Sequence, residues 1–186
     1  MRKLLRSLRL DQSDSHIFAE AAEAGEWAVP GTFAFLELEP EKAARKDWLA
    51  FTSSWLGCTT FGRCSLVEVA EIQEAEFFAL VERLARHFVE RYGASSLAAA
   101  LPAAREEAEL AASLAREHKT GTLLAIAREL DEAGSIRESY RVIRPKRAGE
   151  HAKIWTLVEG DEEPAVAPGI CPQVASSIKD ASGRST

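Results

Sequence analysis

What this sequence lacks is a signature. It has no C-x-x-C, no H-x-x-x-H, no G-x-G-x-x-G, no phosphate-binding P-loop and no G-x-S-x-G. Its four histidines (His16, His87, His118, His151) and three cysteines (Cys58, Cys64, Cys171) include no pair at a metal-ligand or redox spacing. Neither a metal nor a cofactor is therefore expected. No apolar run approaches the ~20 residues that a bilayer span needs, so no membrane role is expected. The start is basic, but Arg6 and Arg9 interrupt any apolar core, and it does not read as a secretion signal. A basic excess is missing too, with a net charge of −6 and a pI near 5.4. Neutralising phosphates takes a basic face, so nucleic acid is not an expected partner. An odd, small cysteine count without secretory features reads as free thiols in a reducing cytoplasm.

What is present is an ordinary globular composition, 46% apolar and 28% charged over 186 residues. Leu4, Arg6, Leu8 and Leu10 alternate in a predicted strand over 2–10. Residues 13–24 read either as a short helix capped by Ser13 or Ser15, or as a strand at His16-Ile17-Phe18. Pro30-Gly31 fits the central pair of a type II turn. Thr32–Leu38 alternates aromatic and β-branched residues and predicts a strand. A helix is expected from Pro40, with Ala44, Trp48, Phe51 and Trp55 facing the core and Gly57 closing it. Residues 61–72 return to strand. Phe77, Val81, Leu84, Phe88 and Tyr92 recur at helical spacing up to Gly93. The Ala-rich stretch 95–118 should be broken at Pro102 into a turn and a longer helix. Residues 122–130 and 135–144 flank a turn at 131–134 and predict a β-hairpin.

The expected fold class is α+β: a mostly antiparallel sheet of four to six strands with two or three helices on one face. Strands and helices do not alternate strictly enough for a parallel sheet. Residues 1–145 form the expected domain. Residues 146–186 read as an extension, with a strand at 152–158 followed by a flexible acidic, Pro-rich tail.

Chemistry-bearing residues are few. In Gly57–Cys64 a thiol of Cys58 or Cys64 is a candidate nucleophile with Arg63 lowering its pKa; the competing view is two small buried residues. His16 precedes Ile17-Phe18, near the Trp27 loop in sequence. His87 reads as a solvated surface residue, and His118 as a cation at a helix C-terminus. Glu106, Glu107 and Glu109 read as acids complementing the dipole of an early helical turn. Trp27 beside Pro30 and Gly31 is either a lid on the core or one wall of a ligand site. Arg128, Arg137, Arg141 and Arg144 lie on or beside the hairpin. Arg137 and Arg141 share a sheet face, either paired with Glu129 and Glu138 or forming a patch for an anion or an acidic partner.

As a set, Gly-Glu-Trp-Ala-Val-Pro-Gly-Thr-Phe-Ala-Phe (25–35), Phe-Thr-Ser-Ser-Trp-Leu-Gly (51–57), Phe-Gly (61–62), Gly-Thr-Leu-Leu-Ala-Ile (121–126) and Ile-Arg-Glu-Ser-Tyr-Arg-Val-Ile-Arg-Pro (136–145) resemble an uncharacterised bacterial family, known as a domain of unknown function. The resemblance covers about residues 2–145. It implies a cytoplasmic bacterial protein of α+β build and carries no catalytic residue across. Two readings of function follow. One is a non-catalytic binding or accessory module acting as a homodimer or with a bacterial protein partner. The other is a small enzyme using a Cys58 or Cys64 thiol and His16 near the Trp27 loop. The ligand-binding candidates are His16, Trp27, Pro30, Gly31, Cys58 and Cys64.

Overall fold

A computed structural model describes residues 1–9 and 13–144. The expected strand at 152–158 and the tail lie outside the described residues. In chain order the elements are β1 (Arg2–Leu8), α1 (Ser13–Ile17), β2 (Trp27–Val29), a 3-10 turn (Thr32–Phe35), α2 (Arg45–Ser53), β3 (Trp55–Gly57), β4 (Arg63–Cys64), β5 (Leu66–Ile72), α3 (Glu74–Tyr92), α4 (Leu97–Arg116), β6 (Leu123–Leu130) and β7 (Ile136–Ile143). The fold is α+β. Every neighbouring strand pair is antiparallel, in the order β4-β3-β2-β1-β5-β6-β7. The seven strands exceed the expected four to six, and the four helices exceed the expected two or three. The surplus strands β2, β3 and β4 are two or three residues long, too short to show a period of two.

The longest helix-forming stripe folds as its spacing predicts. Phe77, Leu80, Val81, Leu84, Ala85 and Phe88 are the buried face of α3. Gln73 and Glu76 form a reciprocal capping box at its start, and Gly93 ends it at φ 70°, where a Cβ would be strained. α4 packs on α3 and lies along β1 and β2. Its buried residues are almost all alanines, from Ala100 to Ala115. It begins at the Ser96 cap and runs straight through Pro102, so the expected break does not occur. One lost backbone hydrogen bond is outweighed by a continuous alanine face held against two layers. In the β6–β7 hairpin the Asp131 carboxylate accepts the N–H groups of Ala133 and Ser135, and Gly134 takes φ 76°.

Three segments depart from their patterns. Thr32–Phe35 is a 3-10 turn rather than a strand, because its two phenylalanines serve different walls. Phe33 packs edge-on against Phe88 and Tyr92, whereas Phe35 packs against Phe51. α2 starts at Arg45 and stops at Ser53, after which Ser54 is extended and turns Trp55 into the sheet. Trp55 is fully buried, but Trp48, expected in the core, is 37% exposed and leans on Phe51. Gly57 lies in β3 and caps no helix.

The sheet coils strongly. Trp55 on β3 stacks on Tyr140 on β7 with ring centroids 5.7 Å apart, although four strands separate them in hydrogen-bonded order. At ~4.8 Å per strand a flat sheet would hold them far apart, so accumulated twist brings its two ends together.

Phe88→Ala should lower chemical-denaturation stability by about 3–5 kcal/mol. Trp48→Ala, which deletes a side chain already partly in water, should cost about 1 kcal/mol or less. Equal losses for the two variants would contradict this division between core and surface.

Candidate functional site

The coil of the sheet closes around one buried cation. Arg128 follows Leu124 and Ile126 on the buried face of β6, and its side chain has no exposure. Its Nε donates to Thr32 Oγ1 (2.8 Å) and to Glu138 Oε1 (2.9 Å). Its Nη1 donates to the carbonyls of Phe51 (3.0 Å) and Ser54 (2.8 Å), and its Nη2 to the carbonyl of Pro30. Tyr140 donates its hydroxyl to the other oxygen of Glu138. Every nitrogen of the Arg128 guanidinium thus has an acceptor, and the side chain fixes the Pro30–Thr32 turn in place.

Next to that turn stands a second, incompletely satisfied group. Gly31 takes φ 70° and donates its N–H to Glu107 Oε1 on α4 at 2.7 Å. Its missing side chain matters: a Cβ there would lie 2.5 Å from Leu56 Cβ and 3.3 Å from Arg63 Nη1. The Arg63 guanidinium lies over the Phe35 ring at 4.5 Å, and its Nη1 is shut from solvent with no acceptor. Burial, then Arg128, lowers the Arg63 pKa to about 10, while Tyr92 works the other way. Burial raises Glu107 to about 7, against the opposing Gly31 hydrogen bond; Glu138 adds to the rise, and Arg128 and Arg63 oppose it. The indole Nε1 of Trp55 is a second buried donor without an acceptor.

An aromatic wall borders this corner. Phe61 stacks flat on His87 at 3.6 Å, and His87 meets Tyr92 edge-on at 5.5 Å. Phe61 takes φ 56°, a left-handed conformation that is costly for a bulky residue. His87 is half-buried rather than solvated. Burial, then Arg91 and Arg63, lowers its pKa to about 4, so it is neutral at pH 7.

The sequence candidates divide between this corner and other places. Pro30 and Gly31 lie in it. Trp27 is half-buried at its back, packed on the core with Arg6 over its ring at 4.6 Å. Cys58 and Cys64 are buried, and burial raises both thiol pKa values; the lowering by Arg83 on Cys58 and by Arg63 on Cys64 is the smaller effect. His16 is exposed on α1 and hydrogen-bonds to neither thiol among the described residues. Arg137 and Arg141 do share an exposed face of β7, with Arg137 3.6 Å from Asp131. Glu26, beside Trp27, is structural: its carboxylate collects the N–H groups of Glu23, Thr59 and Thr60 and the Thr60 hydroxyl.

The residues that matter most here were assigned elsewhere by pattern alone. Arg128 does not stand on a solvated hairpin face; its period-two spacing with Leu124 and Ile126 is the signal for burial. Glu107 is not a dipole acid in a first turn, because α4 starts at Leu97; it stands on the alanine stripe, one turn from Ala103 and Ala111. Among the described residues no group of three or more His, Cys, Asp or Glu could hold a metal ion, and no helix is long and apolar enough to cross a membrane.

A family model described as a family of unknown function (DUF6505) matches residues 1–158, past position 145 where the resemblance was expected to end. No curated protein and no solved structure matches the chain.

Two outcomes follow from this geometry. Arg128→Ala strands several buried carbonyls and Glu138, and should destabilise the fold by about 3–5 kcal/mol in denaturant titrations. Glu107→Gln should be stabilising at pH 8 relative to wild type. An acid whose folded pKa is raised binds protons more tightly when folded, so its cost grows as pH rises from about 4.5 to 7. A stability difference between Glu107→Gln and wild type that does not grow from pH 5 to pH 8 would contradict the raised pKa.

Proposed function

We propose that this chain, which belongs to the family of unknown function DUF6505, is a non-catalytic binding module. Its ligand sits at the corner formed by the Pro30–Thr32 turn, the 58–64 loop and the C-terminal half of α3. The observation that carries this reading is the half-buried Arg63 guanidinium, whose Nη1 is shut from solvent and unpaired. Leaving such a donor without an acceptor costs about 1–3 kcal/mol. A cost of that kind is retained where an incoming group supplies the acceptor. The left-handed Phe61 supports the same place, since backbone strain gathers at functional sites.

The thiol-enzyme reading has less support, because both thiols are buried and held protonated while His16 stands apart. Free thiols at Cys58 and Cys64 suit a reducing cytoplasm. A second copy of the chain is the proposed partner. Phe78 on α3 is 51% exposed beneath the Arg105 guanidinium, and Leu101 on α4 is 37% exposed one helical turn from Arg105. That is a flank on which two copies can exclude water. Arg137 and Arg141 offer an additional contact for acidic groups.

Denaturing release of a small molecule from the purified protein, followed by mass spectrometry, tests the binding role. A stoichiometric compound is expected in wild type and a reduced amount in Arg63→Gln. Equal retention by Arg63→Gln would move the site elsewhere. Sedimentation equilibrium tests the assembly: wild type should be a dimer and Phe78→Glu a monomer.

A further inference from the structure

We propose that Arg63 receives the carboxylate of a small, planar, singly charged organic acid, which displaces Glu107 as the counter-charge at Gly31. The proposal rests on the binding role argued above and names its ligand class. Three features of the corner select that chemistry.

The first is the donor. A guanidinium with an unpaired, solvent-shielded Nη1 calls for an anionic acceptor, and carboxylates match its planar fork. Arg63 makes no ion pair among the described residues, whereas every nitrogen of Arg128 nearby is met by Thr32, Glu138 or one of three carbonyls. Arg63 is therefore the cation left to answer a ligand.

The second is the charge balance. Glu107 and Glu138 are both close enough to act on the corner, Glu107 directly through Gly31 and Glu138 through Arg128. A dianion such as phosphate would meet two carboxylates with Arg63 the one cation there that has a buried, unpaired nitrogen, Arg91 standing exposed. A monoanion matches the single charge of Arg63. The third is the wall. Phe35 lies under the guanidinium, and the stacked Phe61–His87 pair and Tyr92 form an aromatic cluster near enough for Arg63 to act on His87 and Tyr92. Flat apolar bodies suit such surfaces better than hydrated, branched ones.

The place of Glu107 gives the binding a pH dependence. The groups facing it are the Gly31 N–H from the turn, Arg63 from β4, Arg128 from β6, Glu138 and Tyr140 from β7, and the Cys58 thiol after β3. With its pKa near 7, Glu107 is partly protonated at neutral pH. A second carboxylate brought to Arg63 repels the ionised form, so Glu107 takes up a proton as the ligand binds. Affinity is then level below pH 7 and falls as pH rises above it, since the required proton becomes scarcer.

The test is a titration of the full, nitrogen-15-labelled chain with benzoate, followed by NMR at pH 6 and pH 8. Shifts are expected at the Gly31 and Phe61 amides and at Arg63 Nε–H, with affinity about tenfold weaker at pH 8. Glu107→Gln should bind benzoate equally at both pH values, and Arg63→Gln should lose it. If Arg63→Gln does not fold, Arg63→Lys keeps the charge without the fork and should weaken binding. Benzamide or phosphate shifting the same resonances as strongly as benzoate would overturn the ligand class while leaving the corner as a binding site. No shift there with any of the three would overturn both. A pH dependence that survives in Glu107→Gln would overturn the displacement of Glu107.

Discussion

The buried Arg128 guanidinium is the interaction on which the rest of this structure depends. A charge taken out of water is tolerated only when its donors are met. Here the acceptors come from four places: the Pro30–Thr32 turn, the end of α2, Ser54 at the entry to β3, and Glu138 on β7. These are the parts that a seven-stranded sheet would otherwise keep apart. Satisfying one side chain therefore fixes the coil of the sheet, and with it the Trp55–Tyr140 stack. The neighbouring corner inherits its rigidity from this arrangement. Gly31 lies between two residues that Arg128 holds, and Arg63 and Glu107 meet at Gly31.

The buried carboxylates make a useful contrast. Asp14 takes the Ser65 hydroxyl at 2.6 Å, and Glu26 takes three backbone N–H groups and a hydroxyl beneath Gly57, where a Cβ would collide with its carboxyl. Both are tied into loops and complete in themselves. Glu107 has a single backbone donor and is pushed toward neutrality.

Periodicity made the long elements legible and the short ones invisible. α3, β1 and the β6–β7 hairpin could be read because each runs seven residues or more, although β1 buries both Leu4 and Leu5, one on each face, where alternation predicted one. β2, β3 and β4 could not, since a pair or triplet of residues has no period. Trp48 and Trp55 matched a helical stripe equally well, and only the extended Ser54 separates them. The corner was partly legible: Pro30 and Gly31 stood out by turn chemistry. Arg63, Glu107 and Arg128 did not, because a charged residue in an apolar pattern looks like a solvated one until its partners are seen. Apart from Glu138, 10 residues on, the partners of Arg128 lie between 74 and 98 residues away, and that of Glu107 lies 76 away.

The strand order leaves the sheet with two very different margins. β4 is two residues long, whereas β7 is eight and, among the described residues, hydrogen-bonds to β6 alone. A long open margin is a template on which further strands can add. Arg137 and Arg141 stand exposed on it, two turns of the pleat apart. When two such margins approach antiparallel, like charges meet and end-on growth is opposed at every encounter. Their effect would be on colloidal behaviour: a concentrated solution would resist fibre growth at low salt and lose that protection as ionic strength screens the arginines.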